Sequence, residues 1–238
     1  MTYVAQGGSQ ADLCDAALDA FFSEALGKAL EEIGHAGPLL ILPPDITRFH
    51  SRAGYFTDLA VRELARNERH PLGAVIPALG THVPMTQMEL HRMFPGTPLD
   101  IFIPHDWRRD VVTLGRLEAP WVAEVSQDAV YYDWPVQVNQ RLRDGGFSLI
   151  VSIGQVVPHE VVGMANHGKN IFVGTGGKEA IDKSHFAGAC YGMERMMGRT
   201  DTPVRALFDE GLRRFGSLLP PILWVLTVVG PRSNAEAA

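Results

Sequence analysis

The apolar run FSLIVSIG (residues 147–154) leads, three residues on, into PHEVVGMANHGKNIFVGTGGKEAIDKSH (residues 158–185), and together these segments decide the fold. A short continuous apolar run is typical of a buried strand in a parallel sheet. The segment after it carries His159, Lys169 and His185 among several glycines. In open α/β sheets, ligands bind beyond the carboxyl ends of the strands. The pattern therefore predicts a strand that delivers polar side chains to a ligand site.

The chain on either side alternates between strand-like and helix-like segments. Strands are predicted at residues 39–42, 74–79, 100–103, 147–153 and 222–229, and helices at residues 11–33, 55–69, 87–93, 136–143, 178–189 and 203–215. Thr86 and Glu89 have the spacing of a capping box, and residues 111–134 are expected to be less regular and antiparallel. Alternating strands and helices predict an α/β fold with a largely parallel sheet and helices on both faces, a three-layer, Rossmann-like arrangement.

Composition places the chain among ordinary soluble globular proteins. Of its 238 residues, 46% are hydrophobic and 20% charged, and the net charge of −6 lies in no block of one sign. We therefore expect neither nucleic-acid nor anionic-membrane binding. The apolar stretch at residues 218–230 contains two prolines and is too short to span a bilayer, and no signal peptide is recognised. Cys14 and Cys190 are expected to be small buried residues in a reducing compartment, which predicts a cytoplasmic protein.

Polar residues follow four of the predicted strands. Asp45 and Arg48 come after the first, His82 after the second, His105 with Asp106 after the third, and His159 after the strand at residues 147–153. Because parallel strands end at one edge of a sheet, these side chains are expected to converge. Scattered histidines would rarely all follow strands.

Each of these residues also has a structural explanation. Asp45 can cap a turn, Arg48 can be a solvated charge, and His82 can bond to the backbone of its turn. His105 and Asp106 can form a hydrogen-bonded pair that closes a loop. A lysine beside an apolar run, as Lys169 is, can extend its ammonium to water.

Other features are equally open to two explanations. Desolvation of Lys169 would lower its pKa and make it a nucleophile. Gly176 and Gly177 precede a predicted helix, where an anion can bind, but they can also form only a flexible loop. His185 within a helix is more often a core or surface residue. His35, His50, His70 and His91 are interpreted as surface residues.

The chemistry of the set leaves two kinds of site open. Several imidazoles with a carboxylate favour a metal site, whereas histidines on separate loops suit paired acid and base catalysis near neutral pH. No HExxH or CxxC pattern is present, so the usual signature of zinc hydrolysis is lacking. The residues alone do not choose between the two.

The combined pattern resembles the N-terminal domain of the lactate racemase family. The motifs that carry the resemblance are Asp45-Ile-Thr-Arg48, Gly80-Thr-His82, His105-Asp106, Pro158-His159, Gly168-Lys169 and His185. Their order and spacing fit from about residue 39 to residue 190, although no single motif is specific. The family is nickel-dependent and uses a nickel-pincer nucleotide, a pyridinium mononucleotide that holds the metal through two sulfurs and a ring carbon.

The resemblance implies a role for each matching residue. Lys169 would form a covalent thioamide link to the cofactor and His185 would supply the remaining nickel ligand, which is reasonable for a square-planar site with soft sulfur donors. His82 and His159 would be the catalytic acid/base pair, and Arg48 would bind the substrate carboxylate. The remaining cofactor-binding positions are Asp45, which would orient neighbouring polar groups, Thr47, Gly168, Gly176 and Gly177.

The implied reaction is racemisation or epimerisation of a 2-hydroxy acid by proton-coupled hydride transfer. The chain departs from the family where it has Phe49 for proline, Val83 for arginine and Asn166-His167-Gly168 for serine-glycine-glycine. These positions surround the substrate, so the substrate itself is not specified. Full family members carry a C-terminal domain that closes over the cofactor. Residues 1–232 are therefore expected to be the cofactor-binding N-terminal domain, residues 233–238 a disordered tail, and a homo-oligomer or a separate C-terminal domain a candidate partner.

Two other functions remain consistent with the sequence. One is a metal-dependent hydrolase that uses His82, His159, His185 and Asp106. The other is a non-enzymatic domain that binds a nickel cofactor and acts with a partner chain. Substitution of Lys169 separates them, because it should abolish covalent loading but leave zinc affinity nearly unchanged.

Overall fold

The computed structural model describes residues 2–8 and 11–230. The helices are α1 (Asp15–Ile33), α2 (Ala53–Leu64), α3 (Gln87–Met93), α4 (Ala119–Val125), α5 (Gln140–Asp144), α6 (Lys178–Tyr191), α7 (Met193–Met196) and α8 (Pro203–Phe215). The strands are β1 (Leu39–Leu42), β2 (Leu72–Val75), β3 (Val111–Leu117), β4 (Trp134–Asn139), β5 (Leu149–Gln155), β6 (Pro158–His159), β7 (Gly163–Met164) and β8 (Ile222–Thr227). Short 3₁₀ turns lie at Ile46–Ser51, Leu99–Ile101 and Gly216–Leu218, and a π-helical turn lies at Asn170–Gly174.

The central sheet has four parallel strands in the order β2-β1-β5-β8. Successive side chains of a strand point to opposite faces, so β1 contributes to two separate cores. Leu39 and Ile41 pack with Phe22 and Leu26 of α1 and with Phe56 of α2. One face of the sheet is therefore covered by α1 and α2.

The opposite face is covered by a mixed layer. Leu40 and Leu42 pack there with residues of α6, α8 and the antiparallel β3–β4 pair. Trp134, Phe172 and Phe208 form the centre of this core, with ring centroids 5.7 to 6.0 Å apart. The predicted α/β fold, with a largely parallel sheet between two layers that contain helices, is confirmed.

Several predicted elements agree closely with the structure. Helices α3 and α8 have the predicted bounds. Thr86 and Glu89 form both bonds of the predicted capping box. The antiparallel character expected of residues 111–134 is also found, in the pairing of β3 with β4.

Two predicted strands differ from the structure because prolines interrupt their pairing. The strand expected at residues 74–79 is β2 (Leu72–Val75), and only an isolated bridge at Ala78 follows Pro77. Residues 100–103 do not form a strand: a 3₁₀ turn ends at Ile101, and Phe102 alone bridges to Val75 before Pro104. A proline has no N–H to donate to a ladder, so pairing stops at each of them.

The helix predicted at residues 136–143 is wrong in its first half. Val136 and Val138 belong to β4, which pairs with β3, and Asn139 then caps the short helix α5. Tertiary pairing of β-branched residues has overridden a helical pattern here. The expectation of buried cysteines is also wrong, since Cys14 and Cys190 are both exposed.

Three further expectations can be compared with the residues that the structure describes. His70 was expected at the surface, but it is buried, and burial lowers its pKa. Among the residues that the structure describes, no helix has the length and apolarity needed to cross a membrane. The predicted tail at residues 233–238, and the domain boundary at residue 232, lie outside the described residues.

Candidate active site

The loop after β1 holds Asp45 in a fixed, buried position. Leu42 is followed by two prolines, and Asp45 then caps the 3₁₀ turn that begins at Ile46. Its side chain accepts hydrogen bonds from the backbone N–H and the hydroxyl of Thr47. Asp45 is only 5% exposed, whereas Thr47 is exposed and Arg48 is half-buried. The predicted turn-capping role of Asp45 is therefore present, and one oxygen of its carboxylate remains for another partner.

The loop after β2 supplies that partner. Gly80 has a left-handed backbone, with φ of 57°, and its N–H donates to the carbonyl of Gly174 over 2.9 Å. This turn brings His82 to Asp45, where Nδ1 of the imidazole lies 2.6 Å from Oδ2 of the carboxylate. The His82 side chain is 57% exposed, so its other nitrogen lies on the open side of the site.

His159 follows β5 and is held in a tight, buried turn. It pairs with Gly163 across the small β6–β7 hairpin and is 8% exposed. Its Nδ1 accepts hydrogen bonds from the backbone N–H groups of Val161 and Val162, at 3.2 and 3.4 Å. Burial lowers the pKa of His159 to about 4, and the positive charge of Lys169 adds to this shift. His159 is therefore a neutral imidazole at neutral pH.

Lys169 lies at the start of the π-helical turn, a distortion often found at functional sites. The pKa of its amine is lowered from 10.5 to about 8. Burial is the main cause and the guanidinium of Arg48 contributes, while the charges of Asp45 and Glu160 oppose the shift. Far more of this amine than of an ordinary lysine is therefore unprotonated at neutral pH. Lys169 is only partly exposed, so the structure differs from the simple alternative of a lysine extended into water.

The backbone before Lys169 is left-handed at two successive residues that are not glycine. Asn166 and His167 have φ of 67° and 54°, a region in which glycine is favoured and asparagine is tolerated. The His167 ring stacks on Trp224 with centroids 4.2 Å apart. A glycine would adopt this backbone at position 167 without strain, and the stack on Trp224 holds the His167 ring there instead. A Cβ on the next residue, Gly168, would lie 3.0 Å from the Cβ of Phe208, so this position is close-packed against α8.

The glycine turn before α6 is tightly built. A Cβ on Gly176 would lie 1.9 Å from the carbonyl oxygen of Phe172, and one on Gly177 would lie 2.5 Å from Oε1 of Gln137. That oxygen accepts the N–H of Ala180, so a side chain already caps part of this helix N-terminus. The structure thus gives both glycines a packing reason, and their contact with a cofactor remains a prediction.

His105 is buried and stabilises this glycine turn by a hydrogen bond, so its ring does not face the open side of the site. It is 2% exposed, its Nε2 donates to the carbonyl of Gly176 over 2.9 Å, and its Nδ1 accepts from Nδ2 of Asn139 over 2.9 Å. Burial lowers its pKa. Asp106 bonds to the backbone N–H of Arg108 and caps a local turn. The hydrogen-bonded pair expected between His105 and Asp106 is thus replaced by separate contacts.

His185 presents one free nitrogen on the inner side of α6. Its Nδ1 lies 2.8 Å from the carbonyl oxygen of Ile181, to which it donates its proton. Nε2 therefore keeps its lone pair, which is the arrangement common in metal-bound histidines. Burial lowers the pKa of His185, and the charge of Lys169 lowers it further, which also favours the neutral, metal-binding form.

Electrostatic effects show which of these residues lie near one another. Lys169, Arg48 and His185 all act on the pKa of His159, and Arg48 and Asp45 both act on the pKa of Lys169. With His82 bonded to Asp45, the structure brings the loops after β1, β2 and β5 together with α6.

Sequence reasoning missed Glu160 as a member of this group. Its carboxylate lies 3.7 Å from Nδ1 of His159, and its charge raises the pKa of Lys169. The position directly after His159 was the available signal. The supporting contacts of Gln137 and Asn139 were missed too, because they come from β4, where a helix was expected.

The donor set fits a metal that brings most of its own ligands. Within residues 2–8 and 11–230, no three His, Cys, Asp or Glu side chains converge to hold a metal ion. The four residues suggested for a hydrolase therefore form no ligand set in this part of the chain. A single free imidazole nitrogen on His185, beside an amine of lowered pKa on Lys169, matches a covalently attached metal cofactor better than a bare ion.

This chain is similar to one protein family and to solved structures. The family described as the lactate racemase N-terminal domain matches residues 8–197. A Thermotoga maritima crystal structure is similar over 87% of this chain and 51% of its own, with 24% identity and a TM-score of 0.72. The lactate racemase apoprotein from Thermoanaerobacterium thermosaccharolyticum is similar over 83% of this chain and 44% of its own, with 19% identity and a TM-score of 0.58.

The two solved structures show the fold, and this chain spans about half of each. No curated protein matches the chain. The family match covers most of the 238 residues and includes every motif of the candidate site. This chain belongs to the lactate racemase N-terminal domain family.

Proposed function

We propose that this chain is the cofactor-binding domain of a racemase or epimerase that acts on a 2-hydroxy acid. In this proposal a nickel-pincer nucleotide is attached through Lys169, and Nε2 of His185 completes the nickel coordination. The observation that carries the proposal is the placement of Lys169 at a π-helical turn near His185, whose Nδ1 bonds to the carbonyl of Ile181 and leaves Nε2 available as a ligand. The surroundings also lower the pKa of the Lys169 amine to about 8. Amide-type bond formation needs an unprotonated amine, which this site provides near neutral pH.

The other named residues have positions that suit their proposed roles. Arg48 acts electrostatically on both Lys169 and His159, so its guanidinium lies where a substrate carboxylate could be paired with it. Asp45 orients His82 and does not contact the substrate in this proposal. Thr47, Gly168, Gly176 and Gly177 shape the surrounding loops, and we propose that they line the cofactor.

The chemistry that the bound cofactor would supply is reversible acceptance of the C2 hydride of the substrate. The chain's own residues would bind the carboxylate and move the hydroxyl proton. His82 and His159 are the proposed acid/base pair, because they lie on different loops that meet at Lys169: the charge of Lys169 acts on His159, and His82 bonds to Asp45, whose charge acts on Lys169. A C-terminal domain, in the same or a separate chain, is the proposed partner that excludes water from this open site.

The first test is intact mass with metal analysis on protein produced together with nickel and the enzymes that synthesise the cofactor. We expect a covalent adduct, nickel close to one equivalent, and loss of both in Lys169→Ala. Lys178→Ala is the matched control, since Lys178 is exposed and pairs with Asp182. An unmodified mass in folded protein would overturn the cofactor assignment. An adduct without racemisation of any 2-hydroxy acid would favour the non-enzymatic binding domain.

A further inference from the structure

The two proposed acid/base histidines use their Nδ1 atoms in opposite ways. Nδ1 of His82 lies 2.6 Å from a carboxylate oxygen of Asp45, and a carboxylate accepts hydrogen bonds, so this Nδ1 carries a proton. Nδ1 of His159 faces the backbone N–H groups of Val161 and Val162, at 3.2 and 3.4 Å. The carboxylate of Glu160, 3.7 Å from the same nitrogen, is beyond hydrogen-bond distance. Amide N–H groups only donate, so this Nδ1 carries a lone pair.

A neutral imidazole has one proton, so these contacts determine the state of each Nε2. Nε2 of His82 keeps a lone pair and can accept a proton. Nε2 of His159 carries the proton and can donate a hydrogen bond. The two rings thus present opposite hydrogen-bonding groups.

We propose that the site is built with one fixed base, His82, and one fixed hydrogen-bond donor, His159. Resting on the proposed function, this specifies a substrate with a hydroxyl facing His82 and an acceptor oxygen facing His159. In the oxidative direction the hydroxyl O–H bond breaks and a proton–nitrogen bond forms at Nε2 of His82. The electron pair left on oxygen would form the C=O bond, and the C2 hydride would pass to a two-electron acceptor, which is the chemistry that the cofactor of the proposed function would supply when bound.

Asp45 is the positioning residue for this step. Its carboxylate holds the Nδ1–H tautomer of His82 and stabilises the imidazolium that forms when Nε2 takes the proton. Asp45 is itself held by the N–H and hydroxyl of Thr47, and it is 5% exposed. The base is therefore oriented by a buried group even though its own ring is open to the solvent.

His159 is prevented from acting in the same way. Loss of its Nε2 proton would leave an imidazolate, and gain of a second proton at Nδ1 would oppose two backbone N–H groups. Burial and the charge of Arg48 also disfavour a cationic ring, against the opposing charge of Glu160. The charge of Lys169 adds to this only before a cofactor is attached to its amine. This narrows the acid/base pair of the proposed function: His82 exchanges the proton, and His159 takes part by holding a substrate oxygen through its Nε2–H.

The test is ¹⁵N-edited NMR of histidine side chains, on the full chain without cofactor and at mildly alkaline pH. We expect a protonated Nδ1 in His82 and a protonated Nε2 in His159. Two other rings provide internal references: His185, with Nδ1 donating to Ile181, and His105, with Nε2 donating to Gly176. A protonated Nδ1 in His159, or the same tautomer in both rings, would overturn the proposal.

Asp45→Asn provides a variant with a specific readout. Removing the carboxylate should shift the tautomer ratio of His82 several-fold toward protonated Nε2, while the His159 signals stay in place. A purely structural role for Asp45 would broaden or move the signals of both rings. An unchanged His82 ratio would show that Asp45 does not select the tautomer.

A kinetic comparison applies the same idea to cofactor-loaded protein, together with the C-terminal domain of the proposed function supplied in the same or a separate chain. Glutamine can donate a hydrogen bond but cannot act as a base. We expect His82→Gln to lower kcat at least about 1000-fold and His159→Gln only about tenfold. Equal losses would overturn the division of roles. Failure to load cofactor would instead count against the proposed function, and the NMR result would still decide the tautomers.

Discussion

The site has two halves that differ mainly in their access to water. The inner half, residues 155–177, contains His159 and Lys169 in a close-packed loop after β5. The outer half, residues 43–52 and 78–86, contains Arg48 and His82 on loops after β1 and β2. His159 is 8% exposed as a residue, whereas the side chain of His82 is 57% exposed.

The difference shows how one fold prepares similar nitrogens for different tasks. In the inner half, burial is the largest cause of the lowered pKa of both His159 and Lys169. In the outer half, orientation of His82 comes from one buried partner, Asp45, rather than from burial of the ring. In the proposed function, the groups that act in their unprotonated form thus lie away from water, and His82, which would meet the substrate, lies on the open side of the site.

The largest effect that would test this contrast is stabilisation by Lys169→Met. The folded pKa of about 8 lies below the unfolded value of 10.5, so the unfolded state binds more protons between these values. The cost of burying the amine is therefore complete below pH 8 and disappears as the pH rises toward 10.5. We expect denaturant unfolding at pH 7 to give a gain of about 3 kcal/mol.

The matched control for this substitution is Lys178→Met, on the exposed surface of α6. It should change the free energy of unfolding by less than about 0.5 kcal/mol. If Lys169→Met is no more stable than the parent at pH 7, the inner half does not desolvate this amine.

The next effect concerns acid stability and His159. Its folded pKa of about 4 lies below the model value of 6.5, so the unfolded state gains a proton first as the pH falls. The parent protein should therefore lose stability between pH 6.5 and pH 4 through this ring. His159→Gln removes the titration, and the stability lost between pH 7 and pH 5 should shrink by about 2 kcal/mol.

Urea unfolding at the two pH values measures this difference directly. His50→Gln, a substitution of an exposed histidine in the outer half, controls for general effects of replacing a histidine. An acid sensitivity that is the same in His159→Gln and in the parent would show that His159 is not held neutral by burial.

A smaller effect links the two halves through charge. The guanidinium of Arg48 lowers the pKa of Lys169, and the carboxylate of Asp45 raises it. Arg48→Gln should therefore raise this pKa and Asp45→Asn should lower it, each by roughly half a pH unit. NMR titration of the ¹³C-labelled ε-methylene of Lys169 in each variant measures whether the pKa of the amine rises or falls. Shifts in the same direction would contradict the proposed proximity of the outer-half charges to the inner-half amine.

The smallest expected effect tests the backbone of the inner half. His167→Gly should relieve the left-handed strain, worth about 1 kcal/mol, but it removes the stacking on Trp224. The net change in the free energy of unfolding should be below about 1 kcal/mol, because the aromatic contact is worth a similar amount. In a Trp224→Leu background the same substitution should stabilise by about 1 kcal/mol. A destabilisation in both backgrounds would mean that His167 has contacts beyond this stack.

Much of the fold could be predicted because local rules decided it. The capping box at Thr86 and the amphipathic pattern of α8 placed two helices with their correct bounds. The apolar runs of β1 and β5 were recognisable as buried strands. The errors came where tertiary pairing or proline chemistry prevailed, as at Val136 and Pro77, because neither effect has the period of a helix or a strand.

The candidate site shows the same division. Residue types and their order after the strands were sufficient to identify the motifs of Asp45, His82, His159, Lys169 and His185. Glu160 and the support given by His105 were not recognised, since their importance depends on contacts across the fold. His105 and Gly176 are 71 residues apart, and no local sequence pattern predicts the hydrogen bond between them.

The sequence by itself determined the α/β architecture, the edge of the sheet at which polar residues gather and the family to which the chain belongs. Only the tertiary structure decided the protonation of those residues. A pKa and a tautomer depend on the exclusion of water and on partners that are distant along the chain, as Asp45 is from His82. For that reason two histidines that look alike in the sequence become an acceptor oriented by a carboxylate and a donor fixed by the backbone.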